Sequence, residues 1–401
     1  MTTSTLDVLK LNGLTPAASQ VWGGVRLVPL IRDRVSEDLR IGLRAYSNPV
    51  GVVRLSGRPD APGLAYVSYI PHGLVVSVDR DGGAAAAFGT ALDEGGGQRD
   101  GRDIGGCVTL LHRMVKREGR DRFRMLPLHL AMEGFLAQHF GGPDVAWSEY
   151  SKIALRDGLS PRSEAAVPGA CLPDLADALS LFELHEGQCG ALVFVADALA
   201  SAFVVGHPDD YRRLHGSLIQ DFYGELLWSY GRLRYDAPEL RVSLDGEGVE
   251  TADDLRRALA RARSDWADFE VGMAAGLLGQ PVRAEVVRHA GPFTLQRFLT
   301  GLDTGGEDHI GEAIVRGADD ELMYLKTFRL SEAQVRRARL LDQLAASGWD
   351  LAAAGASAGL SKARFIVSLE RAGLGFLIKP HVLQKARKSM YEEVHQDGTP
   401  G

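Results

Sequence analysis

Residues 190–206, GALVFVADALASAFVVG, are the longest apolar run in this chain of 401 residues. Asp197 lies within the run, and the segments ALVFVAD and SAFVVG stand on either side of Ala198-Leu199-Ala200. Such segments, when they are about four to eight residues long, are typical of strands buried on both faces of a sheet. The run is also too short for a membrane-spanning helix, which needs about 20 apolar residues. It therefore predicts two buried strands, separated by Ala198-Leu199-Ala200.

Strand-like segments lie on both sides of this run. Between residues 20 and 78, short β-rich stretches such as GVRLVPLI are separated by Gly, Pro, Asn or charged residues. A second series fills residues 282–330 and reads VRAEVVRHAG, FTLQRFLT, GEAIVRG and LMYLKTFRL. Short strands separated by turn residues favour antiparallel pairing. We predict an α+β fold with a mixed or antiparallel N-terminal sheet.

Capping residues and apolar spacing predict three helices among these strands. Pro208 and the two acids after it suit the first turn of a helix, where negative charge is stabilising. Thr251 with Asp254 three positions later begins a second helix, which continues to about Leu277. The segment LPLHLAMEGFLAQHFGGP, residues 126–143, has helical apolar spacing and ends in Gly-Gly-Pro.

The stretch WDLAAAGASAGLSKARFIVSLERAGLGFL, residues 349–377, predicts two short helices joined by a tight turn. Asp350 and Ser361 are N-cap residue types, each placed just before a helix-forming segment. Gly359 lies between the segments, where a chain reversal requires the positive φ that glycine adopts without strain. This arrangement is a helix-turn-helix.

Charge is distributed unevenly along the chain. The net charge is −7, yet residues 331–390 contain ten Lys or Arg against four acids and carry +6. A basic end on an acidic protein is the electrostatic pattern of a chain that meets a polyanion at that end. The alternative is a basic helical surface that is simply solvated.

The cysteines and the N-terminus bear on compartment and cofactors. Cys107, Cys171 and Cys189 are widely spaced and lack the C-x-x-C pattern, so neither a disulfide framework nor a metal site is predicted. The first residues lack the basic start and apolar run of a signal peptide. We expect a cytoplasmic protein with no cofactor and no membrane association.

One helix carries the only cluster that suggests catalysis. His129 and Glu133 lie one turn apart in residues 126–143, and His139 follows on a different face. The spacing is H-x-x-x-E, whereas zinc hydrolases use H-E-x-x-H. A hydrolase using His129 and Glu133 is therefore a minor hypothesis, and no catalytic residue is assigned.

Four parts of the chain follow from these patterns. We predict an α+β domain at residues 20–235, a small α+β module at residues 236–330, an all-α helix-turn-helix domain at residues 331–390 and a disordered tail at residues 391–401.

The third part resembles the Fis-type helix-turn-helix. The matching segments are Ala353-Ala354, Gly359-Leu360-Ser361, Lys362 to Leu369 and Ala372-Gly373-Leu374. The resemblance implies that Ser361 caps a recognition helix, that Lys362 and Arg364 face a DNA groove, and that Arg371 contacts the backbone. Ile366 and Val367 depart from the family, which usually has polar residues there, and an exposed apolar pair would suit contact with a partner protein.

The first part resembles the ARPP domains, the ARG-and-rhodanese-phosphatase-superfamily-associated proteins. The segments that carry the resemblance are GGVRLVPLI, LPLHLAMEGFLAQHFGGPDVAWSEYSKIALRDGLSPRSE and GQCGALVFVADALASAFVVGHPDDYRRLHGSLIQDF. The resemblance implies a bacterial protein encoded beside conflict or regulatory systems, and it supplies no active site.

The leading hypothesis is a non-enzymatic regulatory or defence-associated protein with an N-terminal sensing or docking domain and a C-terminal domain that binds double-stranded DNA. We expect self-association, because such domains bind paired half-sites, and partner proteins encoded nearby. The second hypothesis is a protein-protein adaptor that uses Ile366 and Val367.

Overall fold

The structure, a computed structural model, describes residues 9–35, 182–219, 248–302 and 307–396 together with several short segments. The short segments are residues 3–6, 37, 39–41, 50–54, 65–69, 76–78, 85–87, 91–93, 116–117, 139–140, 223, 226–227 and 230–231. His129 and Glu133 lie outside the described residues, as do Cys107 and Cys171.

Seventeen antiparallel strands are described. They are β1 (Thr3–Leu6), β2 (Leu14–Pro16), β3 (Gln20–Trp22), β4 (Val25–Arg32), β5 (Leu39–Ile41), β6 (Val50–Arg54), β7 (Ala65–Tyr69), β8 (Val76–Val78), β9 (Ala85–Ala87), β10 (Ala91–Asp93), β11 (Lys116–Arg117), β12 (Gln188–Val195), β13 (Ala198–Val204), β14 (Val282–Ala290), β15 (Phe293–Leu299), β16 (His309–Arg316) and β17 (Glu321–Arg329). Ten of them form one sheet in the order β1-β14-β15-β16-β17-β13-β12-β4-β2, with β3 also paired to β4. Two small sheets have the orders β10-β9-β8-β5 and β11-β7-β6.

The hairpin of β12 and β13 confirms the two strands predicted from residues 190–206, but Ala198-Leu199-Ala200, predicted to separate them, form the start of β13. Gly190 pairs with Val204 and Val193 pairs with Ser201. The reversal between the strands passes through Ala196, whose φ is 58°. Most residues of both strands are buried, because helices cover both faces of the sheet.

The pairing of β13 with β17 joins strands that are far apart in sequence. Its register places Ser201 opposite Phe328 and Phe203 opposite Lys326. The Ser201 hydroxyl donates a hydrogen bond to the carbonyl of Thr327 at 2.7 Å. One sheet therefore contains strands from both of the first two predicted parts of the chain, residues 20–235 and 236–330.

Helices pack against both faces of the large sheet. They are α1 (Pro208–Ser217), α2 (Ala252–Met273), α3 (Ala275–Leu278), α4 (Glu332–Ala346), α5 (Leu351–Ser357), α6 (Lys362–Leu369) and α7 (Pro380–Gln396). Leu277 of α3 packs in one apolar cluster with Leu192 of the sheet. The opposite face contributes residues such as Leu295 to a second cluster that includes α1 and the C-terminal helices. The α+β prediction is confirmed, and among the described helices none is long and apolar enough to cross a membrane.

The N-cap of α2 agrees with the prediction from sequence. Thr251 and Asp254 form a capping box, in which each side chain accepts a hydrogen bond from the backbone N–H of the other residue. Ala274 interrupts the predicted helix, so α3 follows α2 as a separate turn that ends at Gly279.

Helix α4 continues the core of the sheet into the C-terminal helices. Ser331 caps it, and its buried face consists of Val335, Ala338, Leu341 and Leu344. These side chains belong to the same apolar cluster as Leu295 and Ile310 of the sheet and Phe365 of α6. The C-terminal helices therefore share one core with the sheet.

The last helix is longer than the sequence indicated. Residues 391–401 were predicted as a disordered tail, but α7 extends to Gln396. The prediction is wrong for residues 391–396, because it considered only their polarity. Glu393 makes contacts with α6 that hold this end of the helix in place.

Gly311 in β16 provides a test of strand packing. A Cβ atom at this position would lie 2.5 Å from the carbonyl oxygen of Lys326 and 2.7 Å from Cζ of Phe298. We expect Gly311→Ala to lower the free energy of unfolding by about 1–3 kcal/mol, which is the usual cost of overpacking. Urea denaturation of the full chain measures this change.

Gly272→Ala is the matched control. A Cβ atom at Gly272, near the end of α2, has no neighbour within 4 Å. Alanine is the better helix former, so this variant should be neutral or gain up to about 1 kcal/mol. Equal effects of the two substitutions would contradict the packing around Gly311.

Candidate functional site

The turn between α5 and α6 has the geometry predicted for residues 349–377. The Asp350 carboxylate accepts hydrogen bonds from the backbone N–H groups of Ala352 and Ala353 at 2.8 and 2.7 Å. These bonds hold the pKa of Asp350 below its usual value. Gly359 has a φ of 67°, and the Ser361 hydroxyl accepts from the backbone N–H of Arg364 at 3.2 Å. Both caps and the turn are therefore as predicted.

Gly355 explains how closely the two helices cross. A glycine inside a helix costs about 1 kcal/mol of helix stability relative to alanine. In the structure, a Cβ atom here would lie 3.2 Å from the carbonyl oxygen of Leu360 and 3.3 Å from Cβ of Phe365. The absent side chain lets α6 approach α5, so the helical cost is offset by tighter packing.

The predicted DNA-binding side chains lie on the surface. Ser361, Lys362, Arg364 and Arg371 are all exposed. Lys362 is the first residue of α6, and Arg371 lies in the π-helical turn Glu370–Leu374 that follows this helix. The structure thus brings three of the four together at the N-terminal end of α6 and places Arg371 beyond its C-terminal end.

A carboxylate from α7 occupies the N-terminal end of α6. Arg364 Nε donates to Glu393 Oε2 at 3.1 Å, and the Ser361 hydroxyl donates to Glu393 Oε1 at the same distance. The side chains of Arg364 and Glu393 keep 47% and 35% of their exposure. Two of the predicted DNA contacts therefore already hold an anion that belongs to the chain itself.

Ile366 and Val367 do not form an exposed apolar pair. Their exposed fractions are 2% and 5%. Helix α7 packs against α6 and covers residues that the sequence placed on the outside. The prediction that these two residues contact a partner protein is wrong in this structure, because they belong to the interior of the helical unit.

Helix α7 adds further cations around α6. Arg387 Nε donates to Glu370 Oε2 at 3.0 Å and ties α7 to the turn after α6. The Arg387 guanidinium also holds the pKa of Glu370 below its usual value. Lys385 and Lys388 on the same helix are exposed. Basic side chains are therefore present on both helices of this surface.

A row of charged side chains crosses the sheet on the face covered by α4. Arg297 of β15 pairs with Glu312 of β16, and Glu312 pairs with Lys326 of β17. Glu312 is fully buried and Lys326 is 1% exposed. The Tyr324 hydroxyl donates to Glu312 Oε1 at 3.1 Å, whereas Oε2 has no hydrogen-bond partner among the described atoms. We call these three residues, Arg297, Glu312 and Lys326, the charged row.

Burial brings two groups of the charged row close to neutral pKa values. Desolvation raises the pKa of Glu312 to about 7, although the positive charges of Lys326 and Arg297 oppose this shift. Desolvation also lowers the pKa of Lys326 to about 8, opposed by the charge of Glu312. Burial therefore disfavours the charged form of both groups, and the charge of each one favours the charged form of the other.

The charged row was not predicted from the sequence. Glu312 and Lys326 lie in the apolar strands GEAIVRG and LMYLKTFRL. The one feature of the sequence that could have indicated them is a charged residue at a position where the strand pattern predicts burial. That signal does not identify the partner, because cross-strand register is set by contacts distant in sequence.

His139 is described, unlike the other two members of the predicted catalytic cluster. Burial, with the nearby charges of Arg297 and Arg283, lowers its pKa to about 3, so the ring is neutral at physiological pH. Across the described part of the chain, no three His, Cys, Asp or Glu side chains come together in a way that could hold a metal ion.

Glu312→Gln tests the protonation of the charged row. The unfolded chain releases the Glu312 proton near pH 4.5, whereas the folded chain keeps it until about pH 7. The folded state binds more protons in this window, so stability falls as the pH rises through it. Between pH 4.5 and pH 7, we expect the free energy of unfolding of the wild type to fall by on the order of 2–3 kcal/mol relative to that of the variant. Urea denaturation at several pH values measures this difference.

Glu285→Gln is the control for this pH dependence. Glu285 lies opposite Arg297 on the neighbouring strand β14 but is only partly buried. Its variant should keep the pH dependence of the wild type. If the profile of Glu312→Gln follows the wild type as well, the assigned protonation of Glu312 is wrong.

Comparison with known proteins identifies the larger part of the chain. The ARPP-2 family model matches residues 9–291, which is more than half of the chain and a wider range than residues 20–235 on which the ARPP resemblance was noted. No curated protein and no solved structure matches at a significant level. The matched range ends before the C-terminal helices, so the comparisons give no evidence for the Fis-type resemblance. This protein belongs to the ARPP-2 family.

Proposed function

We propose that this protein is a non-enzymatic regulatory component of a bacterial conflict or regulatory system. Its ARPP-2 part senses a ligand or docks a partner, and its C-terminal helices bind double-stranded DNA. The observation that carries this proposal is the joint exposure of Ser361, Lys362 and Arg364 at the N-terminal end of α6. Helix-turn-helix proteins contact base edges with this end of their second helix.

The geometry of the two helices supports this role. Gly355 allows a close crossing, and Gly359 reverses the chain within a short turn. The buried Phe365 and Leu369 fix α6 against the core. A recognition helix held in this way presents its first residues at a constant angle, which a groove contact requires.

Charge supports an anionic partner on this side of the molecule. Residues 331–390 carry +6 within a chain of −7, so the remaining residues repel a polyanion while this part attracts it. Arg371, Lys385 and Lys388 are exposed near α6 and are suited to phosphate contacts.

Assembly follows from the same proposal. A single recognition helix reads a few base pairs, and proteins of this type reach useful specificity by binding two half-sites as a dimer. We therefore propose a homodimer on DNA, together with partner proteins encoded nearby that the ARPP-2 part recognises.

The double variant Lys362→Ala, Arg364→Ala tests DNA binding. Each phosphate contact contributes about 0.9 to the slope of log K against log salt concentration. The variant removes two positive charges that lie against the polyanion, so it should weaken binding at low salt and make the salt dependence less steep. Fluorescence anisotropy of a labelled duplex, titrated with the full chain at several salt concentrations, measures both.

Arg256→Ala with Arg257→Ala is the charge-matched control. These exposed arginines lie on α2 and pair with Asp253 and Asp254. This variant loses the same two positive charges but should keep the wild-type slope. Absence of duplex binding by the wild-type chain at low salt would refute the proposed DNA-binding role.

Glu393 should restrain DNA binding. Its carboxylate holds Ser361 and Arg364, so a phosphate must displace it or approach against its charge. We expect Glu393→Gln to bind a duplex about fivefold more tightly, the size expected for loss of an exposed ion pair and its repulsion. The same anisotropy titration measures this change.

Glu392→Gln is the control that distinguishes the effect of the Glu393 contacts from the effect of a change in net charge. Glu392 is the adjacent residue, is exposed, and lies 3.9 Å from Lys388. Its variant changes the net charge by the same amount without touching α6. If both variants bind alike, Glu393 does not act through its contacts with α6.

A further inference from the structure

A pocket lies between helix α4, strand β14 and the residues that follow β15, away from the proposed DNA contacts. Its volume is about 320 Å³. Its lining residues are Arg283, Gly301, Leu302, Arg339, Asp342 and Gln343. The volume is at the lower end of the range of small-molecule sites.

Arg339 fixes one wall of the pocket. Its Nε donates to the carbonyl of Leu302 at 2.7 Å, and its Nη2 donates to the same oxygen. Leu302 is 3% exposed and has a φ of 59°, a strained value for a residue with a branched side chain. Backbone strain of this kind persists where surrounding contacts enforce it, and it occurs often at ligand sites.

Arg283 forms the opposite side and retains donor capacity. Its Nη1 donates to both carboxylate oxygens of Asp342 at 3.1 Å. Within the described residues, Nη2 and Nε of Arg283 make no hydrogen bond. The side chains of Arg283 and Asp342 keep 44% and 38% of their exposure, so solvent reaches the pair.

The charge of the lining favours an anion. Two guanidinium groups face one carboxylate, so the lining carries +1 at neutral pH. A guanidinium binds carboxylate or phosphate oxygens in pairs, and the group on Arg283 is positioned to exchange Asp342 for such a ligand.

We propose that this pocket binds a small molecule through a carboxylate or phosphate group. Arg283 is the direct anion contact, and Arg339 is a positioning residue that holds the Leu302 wall. Asp342 occupies the anion position in the absence of ligand and competes with it. Both sources of the oxyanion share this chemistry, and the choice of probe distinguishes them.

Isothermal titration calorimetry of the full chain tests this site with four probes at constant ionic strength. Inorganic phosphate and pyrophosphate represent phosphate ligands, and succinate and citrate represent carboxylate ligands. We expect one of the two classes to bind, and Arg283→Ala to weaken that binding at least about tenfold, as expected for a lost charged hydrogen bond. Arg256→Ala, which removes an exposed arginine from α2, should leave it unchanged.

Asp342→Asn separates a binding site from an ion pair that only stabilises the fold. Removing the competing carboxylate should strengthen probe binding several-fold, whereas a purely structural pair predicts no gain in affinity. Thermal unfolding without probe checks that each variant is folded, and Arg283 is exposed enough for its variant to remain so. Failure of all four probes to bind, binding that survives Arg283→Ala, or no gain in Asp342→Asn would each overturn the proposal, whatever the outcome of the DNA titrations.

Discussion

The pairing of β13 with β17 is the constraint on which the rest of the structure depends. It joins a hairpin at residues 188–204 to the strands at residues 282–329, and so makes one sheet from two series of strands. The hydrogen bond from the Ser201 hydroxyl to the carbonyl of Thr327 stabilises this strand pairing. Because both neighbours are central strands, losing the pairing would expose two long edges at once. Contacts between residues this distant in sequence have a large entropic cost of loop closure. We therefore expect the pairing of β13 with β17 to form late in folding.

The same strand pairing helps to place the buried charged side chains of the charged row. It places Lys326 beside Phe203, and the neighbouring pairing of β16 with β17 places Glu312 beside Lys326. A buried acid and a buried base cost solvation energy individually, and their mutual attraction offsets part of that cost. The charged row is thus a product of sheet register, and its protonation reports whether the register is intact.

Local features were predictable from the sequence, and long-range ones were not. Thr251, Asp350, Gly359 and Ser361 act through neighbours within a few residues, so their caps and turn could be derived from spacing alone. The burial of Ile366 could not be predicted in this way, because it depends on how α7 packs against α6. The contacts of Glu393 with Ser361 and Arg364 could not be predicted for the same reason, because nothing in a polar C-terminal segment indicates that it packs against α6. The fold class followed from strand patterns, whereas the union of two predicted parts in one sheet required knowledge of register.

The position of α4 bears on how such a protein can be shortened or recombined during evolution. The ARPP-2 match stops at residue 291, at the turn that leads from β14 into β15, yet the sheet continues for three more strands. Val335 and Leu341 of α4 then seal apolar residues such as Leu295 and Ile310. A premature stop codon after β17 would leave that apolar surface open to water and favour aggregation. Exchange of C-terminal modules between relatives should therefore preserve α4 together with α5 and α6, because Phe365 and Leu369 belong to the same apolar cluster as α4.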